Sequence, residues 1–166
     1  LRHKMAVSKL SEMAEGSSFH RVLWDDAQHG NSDTKLVADS KIKRVVLCSG
    51  KVYYDLLAER DERGIDDIYL MRIEQFYPFP AQALSTEMKR FKNADLVWCQ
   101  EEPKNQGAWS FIEPNIEWVM QRIKAKVTRP RYVGRPAAAS PATGLAKLHK
   151  EQQAALINDA LTLEGK

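Results

Sequence analysis

From Lys43 onward the chain alternates short apolar runs with longer stretches of helical period, and this alternation limits its folds more than any other feature. Arg44-Val45-Val46-Leu47-Cys48 reads as a buried strand, and Ser49-Gly50 turns it into a helix over 51–63 that Gly64 ends. A second strand is expected over 67–73. Phe76-Tyr77-Pro78-Phe79-Pro80 cannot be helical, because each proline restricts the residue before it. A helix over 81–91 leads to a third strand, Ala94-Asp95-Leu96-Val97-Trp98-Cys99, which Pro103 should stop. The spacing then predicts a helix over 109–126 that Pro114 kinks or restarts, and a short strand over 131–133. A loop of small residues follows over 134–144. The last helix, over 145–163, sets Leu145, Leu148, Leu156, Ile157 and Leu161 on its apolar side. Strands and helices in strict alternation with short turns imply an α/β fold: three layers, α/β/α, around a mostly parallel sheet with right-handed crossovers.

Residues 1–42 lack this rhythm. Ser8 is a plausible N-cap for a short helix ending at Gly16, 19–24 could be a strand, and 25–41 reads as a loop or a disordered excursion. The expected division is a linker over 1–42, wrapped on a core domain over 43–166. The start, Leu-Arg-His-Lys, lacks both an initiator methionine and a signal pattern, as if the chain were cut from something longer.

Composition narrows the function classes. With 166 residues and 43% hydrophobic content, one domain with a real core is expected. A net charge of +3 is too small to argue for nucleic acid or an anionic membrane, and no apolar run reaches the length of a span. Cys48 and Cys99 each lie near the end of an apolar strand, so they read as reduced, semi-buried core residues of a cytosol-like compartment. His3, His20, His29 and His149 show no metal spacing and no nucleophile partner.

Two strand-to-helix turns hold the candidate chemistry. Ser49-Gly50-Lys51 could offer helix N–H groups to a phosphate, but it lacks the earlier glycine and the following Ser or Thr of a phosphate loop. A contact with a neighbouring domain suits it better. The turn after the third strand carries Glu101, Glu102, Pro103, Asn105, Gln106, Gly107 and Trp109. Neighbouring residues leaving a strand point to opposite sides, so Glu101 and Glu102 should bond loop amides and not share a proton. We expect Ser49, Lys51, Glu101, Glu102, Asn105, Gln106, Gly107 and Trp109 to form a domain interface, with no catalytic, cofactor-binding or metal-binding residue in the chain.

Four motifs follow in one order: 46–57, 72–80, 98–109 and 134–144, the last reading Gly-Arg-Pro-Ala-Ala-Ala-Ser-Pro-Ala-Thr-Gly. Together they resemble the C-terminal domain of the first, decarboxylating component of 2-oxoglutarate dehydrogenase, and residues 1–8 resemble the segment leading out of that family's pyrimidine-binding domain. The resemblance covers essentially the whole chain and implies a domain like the C-terminal one of transketolase. It implies an intact homodimeric enzyme of the tricarboxylic acid cycle, in a multienzyme complex, that oxidatively decarboxylates 2-oxoglutarate. Thiamine diphosphate, held with magnesium, supplies the electron sink when carbon dioxide leaves, and the succinyl group passes to a lipoyl arm on the next component. The Gly-Asp-Gly magnesium motif is absent here, and the activating glutamate and catalytic lysine-and-histidine set belong upstream, so the fragment alone should be silent. Its implied partners are the upstream domains, the homodimer partner and the lipoyl-bearing succinyltransferase, in a bacterial cytoplasm or a mitochondrial matrix. The resemblance also raises an alternative task, a regulatory module for AMP or acetyl-CoA, with Arg2, Lys4, Ser8 and Arg135 as effector contacts.

Overall fold

Five strands form one sheet in the order β1-β3-β2-β4-β5 in a computed structural model that describes residues 3–163. They are β1 (Val22–Leu23), β2 (Arg44–Cys48), β3 (Ile68–Ile73), β4 (Asp95–Pro103) and β5 (Arg131–Arg135). The helices between and after them are α1 (Val52–Glu62), α2 (Ala81–Met88), α3 (Trp109–Arg122) and α4 (Ala146–Leu161). All pairings are parallel except the short β1, which lies antiparallel on β3 with Val22 opposite Ile73.

The middles of β2, β3 and β4 are apolar on both sides because both faces of the sheet are covered there. Along β2, Val45 and Leu47 face a core shared with Leu84, Ile112, Ile116 and Val119 of α2 and α3. Val46 and Cys48 alternate to the other face, against Leu56 and Leu57 of α1 and Leu156 and Leu161 of α4. The fold is therefore α/β in three layers, as expected. Each fully buried leucine or isoleucine of these cores stabilises it by about 2 kcal/mol. Arg44, at the start of β2, fastens α4 to the sheet. Its Nε donates to Asp95 at 2.8 Å, and its Nη1 donates to the carbonyls of Ala160 and Thr162 at 3.0 and 2.7 Å. Those carbonyls end a helix and have no N–H of their own to accept.

Several elements differ from expectation, each for a physical reason. The helix expected over 8–16 is a single 3₁₀ turn, Leu10–Met13. Leu10 and Met13 are exposed, so no burial offsets helix nucleation; Lys9, not Ser8, begins the turn, its N–H held by Glu12 at 3.0 Å. The strand expected over 19–24 shortens to Val22–Leu23, where Val22 alone enters the core. The loop over 25–41 is fastened down by Asp25, which is fully buried and ion-paired to Arg60 of α1. Asp25 also accepts from the N–H of Leu70 at 2.7 Å. Two further 3₁₀ turns, Asp26–His29 and Asp39–Lys41, lie within that segment.

Strand β4 runs past Cys99 to Pro103, and β5 runs past Val133 to Arg135, with a register shift between Gln100 and Pro103. The irregular pairing lets polar residues continue the ladder. Helix α3 does not restart at Pro114. Pro114 leaves the carbonyl of exposed Ser110 to water, and the Asn115 side chain adds a bond to the Phe111 carbonyl at 2.7 Å. The helix over 81–91 changes at Met88 to a 3₁₀ turn, Lys89–Phe91. In α4 only the second half is covered: Leu156, Ile157 and Leu161 are buried, while Leu145 and Leu148 stay exposed. Both cysteines are fully buried, and burial pushes each thiol up, away from the reactive thiolate.

Candidate functional site

Strand order reverses at β2: the chain moves from β2 outward to β3, then crosses back so that β4 lies on the other side of β2. At such a switch point the turns leaving the two central strands diverge and open a crevice at their carboxyl ends. A cleft of about 470 Å³ lies there. The turn after β2 contributes Ser49, Gly50 and Lys51, and the end of β4 contributes Gln100, Glu101 and Glu102. Its rim is aromatic: Phe76 and Tyr77 come from the bend after β3, and Phe111 from α3. Tyr77 is 84% exposed and Phe111 42%. The bend holds a cis peptide between Tyr77 and Pro78.

Lys51 is the cation of this cleft. Its Nζ donates to Asp55 at 2.5 Å and lies 2.8 Å from Glu101. Burial works against its charge, but the hydrogen bonds to Asp55 and Glu101 outweigh that and raise its pKa above the ordinary lysine value. Asp55 also meets the incoming chain, with His3 Nε2 at 3.4 Å, while the His3 ring stacks on Tyr54. From the other side Gln153 of α4 donates to both Asp55 and Glu101 at 2.9 Å. The Gln153 carbonyl oxygen accepts from Arg135 Nη2 at 3.1 Å, and the same Nη2 sits 2.9 Å from His149 Nδ1. One chain of polar contacts thus joins the first described residues, α1, β4, β5 and α4.

The floor is set by Gln100, a buried side chain that sequence reasoning did not single out. Its oxygen accepts from Trp98 Nε1 at 2.9 Å and from the backbone N–H of Trp109 at 3.1 Å, which satisfies an orphan donor at the start of α3. Its nitrogen donates to the Gln106 carbonyl at 2.9 Å. Gly107, at φ +66°, closes the turn over it. A Cβ there would stand 3.0 Å from the Cβ of Glu102 and 3.1 Å from Gln100 Nε2. Gly134 lies closer still to the same strand end, where an added Cβ would be 2.7 Å from the Gln100 carbonyl oxygen. The signal for Gln100 was present in the sequence as a polar residue between two tryptophans, but its partners become visible only once the turn is folded.

The expected interface residues separate into three placements. Ser49, Lys51, Glu101, Glu102 and Gly107 line the cleft together. Asn105 and Gln106 instead face the 136–143 segment of the same domain: Asn105 exchanges two bonds with Ala138, each 3.0 Å, and Gln106 donates to the Ala138 carbonyl at 3.1 Å. Trp109 is turned inward, 5.1 Å from the Tyr132 ring. Burial pushes the Tyr132 hydroxyl up to about 12 as it bonds the Arg135 carbonyl at 2.8 Å.

Of the expected effector contacts, Arg2 lies outside the described residues. Lys4 is exposed beside His3, and Ser8 borders a separate open hollow with Arg72 and Glu74. Arg135 is 7% exposed and takes the far end of the polar chain. Among the described residues no group of three or more His, Cys, Asp or Glu side chains is placed to hold a metal, and no helix is long and apolar enough to cross a membrane.

A family described as 2-oxoglutarate dehydrogenase C-terminal matches residues 7–161. The chain is 65% identical over 162 residues to the 2-oxoglutarate dehydrogenase E1 component of Brucella anthropi. It is 64% identical over the same length to those of Brucella ovis and Brucella canis. Each match covers 97% of this chain and 16% of the relative, so the chain spans a small part of the curated proteins it resembles.

Proposed function

The chain belongs to the 2-oxoglutarate dehydrogenase C-terminal family, and from that membership we propose that it is the C-terminal assembly domain of a thiamine-dependent 2-oxoglutarate dehydrogenase. The single observation that carries this reading is the match over residues 7–161. The intact protein would oxidatively decarboxylate 2-oxoglutarate and pass succinyl to a lipoyl group of the complex's succinyltransferase. Its place would be a bacterial cytoplasm, in keeping with the Brucella relatives, or a mitochondrial matrix in a eukaryote. Residues 1–42 would lead out of the preceding domain and wrap on the core formed by 43–166.

The residues present do not suit thiamine diphosphate and magnesium. The chain has no Gly-Asp-Gly, and of the cleft's two carboxylates Glu101 is engaged by Lys51 and Gln153, which also hold the neighbouring Asp55. We assign both groups to the upstream domains and the fragment to assembly. The aromatic rim supports that role, because Tyr77 and Phe111 leave apolar surface in solvent beside a built polar floor. The full-length protein should release carbon dioxide from 2-oxoglutarate only when supplied with thiamine diphosphate; turnover of another keto acid with 2-oxoglutarate ignored would remove the substrate assignment. Replacing Tyr77 and Phe111 with serine should weaken homodimer stability and activity together. Loss of neither would place the interface elsewhere.

One observation favours the second reading, a regulatory site for AMP or acetyl-CoA. The cleft joins a cation, Lys51, to aromatic faces at a strand-order reversal, and the segment bearing Lys4 passes it through the His3–Asp55 contact. Of the proposed contacts, Arg2 and Lys4 would act at this cleft together with Lys51, while Ser8 borders a separate hollow and Arg135 a separate cavity. Calorimetric titration of the full-length protein with acetyl-CoA and AMP tests it. Saturable binding weakened by Lys51→Gln supports the site, and heat unaffected by that change rules it out for this cleft.

A further inference from the structure

At the edge of the sheet opposite the cleft, where β4 and β5 begin, the domain carries positive charge without partners. Two turns meet there, the one between α2 and β4 and the one between α3 and β5, joined where the Lys126 N–H donates to the Lys92 carbonyl at 2.8 Å. They expose Lys89, Lys92, Arg122, Lys124 and Lys126. Among the described residues none of these five forms an ion pair, whereas Lys43 near the same edge pairs with Asp67 and Arg131 with Asp159. The acids closest in sequence are already taken: Glu87 holds Arg90, and Asp95 holds Arg44. Residues 118–150 contain no aspartate or glutamate at all. Cations gathered without carboxylates repel one another, and a face of this kind attracts negative charge from outside.

An independent feature points the same way. Helices α1 and α3 end alike. After α1 the N–H groups of Gly64 and Ile65 donate to the carbonyls of Asp61 and Arg60, each at 3.1 Å. After α3 those of Lys124 and Ala125 donate to Gln121 and Met120, each at 3.0 Å. Such an ending puts one residue in the left-handed region, where glycine escapes the clash that a Cβ makes. Gly64 stands there after α1, at φ +61°, but after α3 the position is held by Lys124 at φ +56°. Lys124 is the only non-glycine with positive φ among the described residues. The dipole at the end of α3 favours a cation, yet Arg122 in its last turn already supplies one. Helix-end physics thus explains neither the lysine at the strained position nor Lys92 and Lys126 beyond it.

We propose that this face docks an acidic peptide segment of a partner protein, its carboxylates meeting Lys89, Lys92, Lys124 and Lys126 and an apolar side chain meeting Trp118. Trp118 is 52% exposed, and the Arg122 guanidinium lies over its ring at 5.3 Å. Tryptophan and arginine are among the residues that most often anchor a protein interface. Four of the five cations are lysines, whose compact ammonium on a flexible stem follows irregularly spaced carboxylates, whereas the arginine fork suits phosphate better. The net charge of +3 is too small to draw a polyphosphate backbone from a distance. The face is separate from the switch-point cleft, and the inference stands whether or not the assembly reading holds.

A fluorescein-labelled oligoglutamate carrying one leucine is the probe, with the matching oligoglutamine peptide as its uncharged counterpart. Each is titrated into the full-length protein and followed by fluorescence anisotropy. Oligoglutamate should bind saturably in the micromolar range at low salt, and oligoglutamine about tenfold more weakly or not at all. The double variant Lys92→Glu with Lys126→Glu should weaken oligoglutamate by about tenfold or more. A control with the same change in net charge, Lys147→Glu with Lys150→Glu at the exposed start of α4, should weaken it less than about twofold. Lys124→Gly removes a charge while relieving the backbone, and it should weaken the peptide by about threefold. Equal weakening by the control and the patch variants would reduce the effect to net charge and overturn the proposal. So would binding that the patch variants leave unchanged. Tighter binding of oligothymidylate or of phosphatidylglycerol vesicles, with the same dependence on Lys92 and Lys126, would overturn it in favour of a nucleic-acid or membrane surface.

Discussion

Helix α1 has a cation at each end, and the two ends are built on opposite principles. At its carboxyl end Arg60 is fully buried and paired with a fully buried Asp25. It also donates to the Ile68 carbonyl at 3.3 Å and the Ser32 hydroxyl at 3.3 Å. The helix dipole favours a cation there. At its amino end Lys51 occupies the N-cap, where the dipole opposes a positive charge, and 38% of its side chain remains exposed. Asp55 and Glu101 hold it in spite of that. The buried end fastens the 21–34 segment to the domain; the open end keeps a charge in a cleft at a cost to the helix. A cation placed against its dipole and left reachable by solvent is the one to suspect of function.

The sharpest way to break this comparison is at the buried end. Replacing Arg60 with methionine strands the Asp25 carboxylate, and replacing Asp25 with leucine leaves the buried guanidinium a single carboxylate, the longer, 3.5 Å contact to Asp61. Each should cost roughly 3–5 kcal/mol of unfolding free energy, the usual penalty for an orphaned buried charge. The double variant should recover much of that loss, because an apolar pair of similar volume removes both desolvation penalties. Urea unfolding of the three variants measures it. Single losses below about 1 kcal/mol, the scale of exposed pairs, would show that water reaches the pair and that the two ends of α1 do not differ as described.

Between the two ends in expected effect stands Gln100, the floor of the cleft. Leucine in its place leaves the Trp98 indole N–H and the Trp109 backbone N–H without an acceptor, for a loss of about 2–3 kcal/mol. Near-ultraviolet circular dichroism should register the tryptophans together with the shift in urea midpoint. A midpoint unchanged from the parent would mean that other groups satisfy both donors.

What the sequence made legible follows from which forces act locally. Apolar period located β2, β3 and all four helices, because each buries a continuous face or stripe. The ends of β4 and β5 were not legible, since Glu101, Glu102 and Gly134 look like turn residues, and the ladder skips Glu101 and Glu102 to resume with Pro103 opposite Arg135. Asp25 and Arg60 lie 35 residues apart and carry no pattern at all; burial alone makes them partners. Lys51, Glu101 and Glu102 were found because they sit at the carboxyl ends of recognisable strands. The role of Asp55 and Gln153 in holding them was not, for it depends on how α4 lies across α1.

The smallest expected effect is at the open end. Lys51→Gln should change stability by less than about 1 kcal/mol, because solvent screens a pair so exposed. Its sign can still be read from pH. The folded-state pKa of Lys51 is raised above its ordinary value, with burial opposing the charge and Asp55 and Glu101 overcoming that opposition. A raised pKa means that the folded protein holds the proton longer than the unfolded chain does. The stabilisation is therefore complete below the ordinary lysine range, about pH 10.4, and is lost as pH rises through the folded value. The parent should thus lose slightly more stability than Lys51→Gln as pH rises above about 10.4, the ordinary lysine value, toward the raised folded value, and the two should run parallel at lower pH. Urea midpoints across that interval decide it. Curves that stay parallel throughout would mean that Asp55 and Glu101 do not hold the ammonium in solution, and Lys51 would then stand free in the cleft.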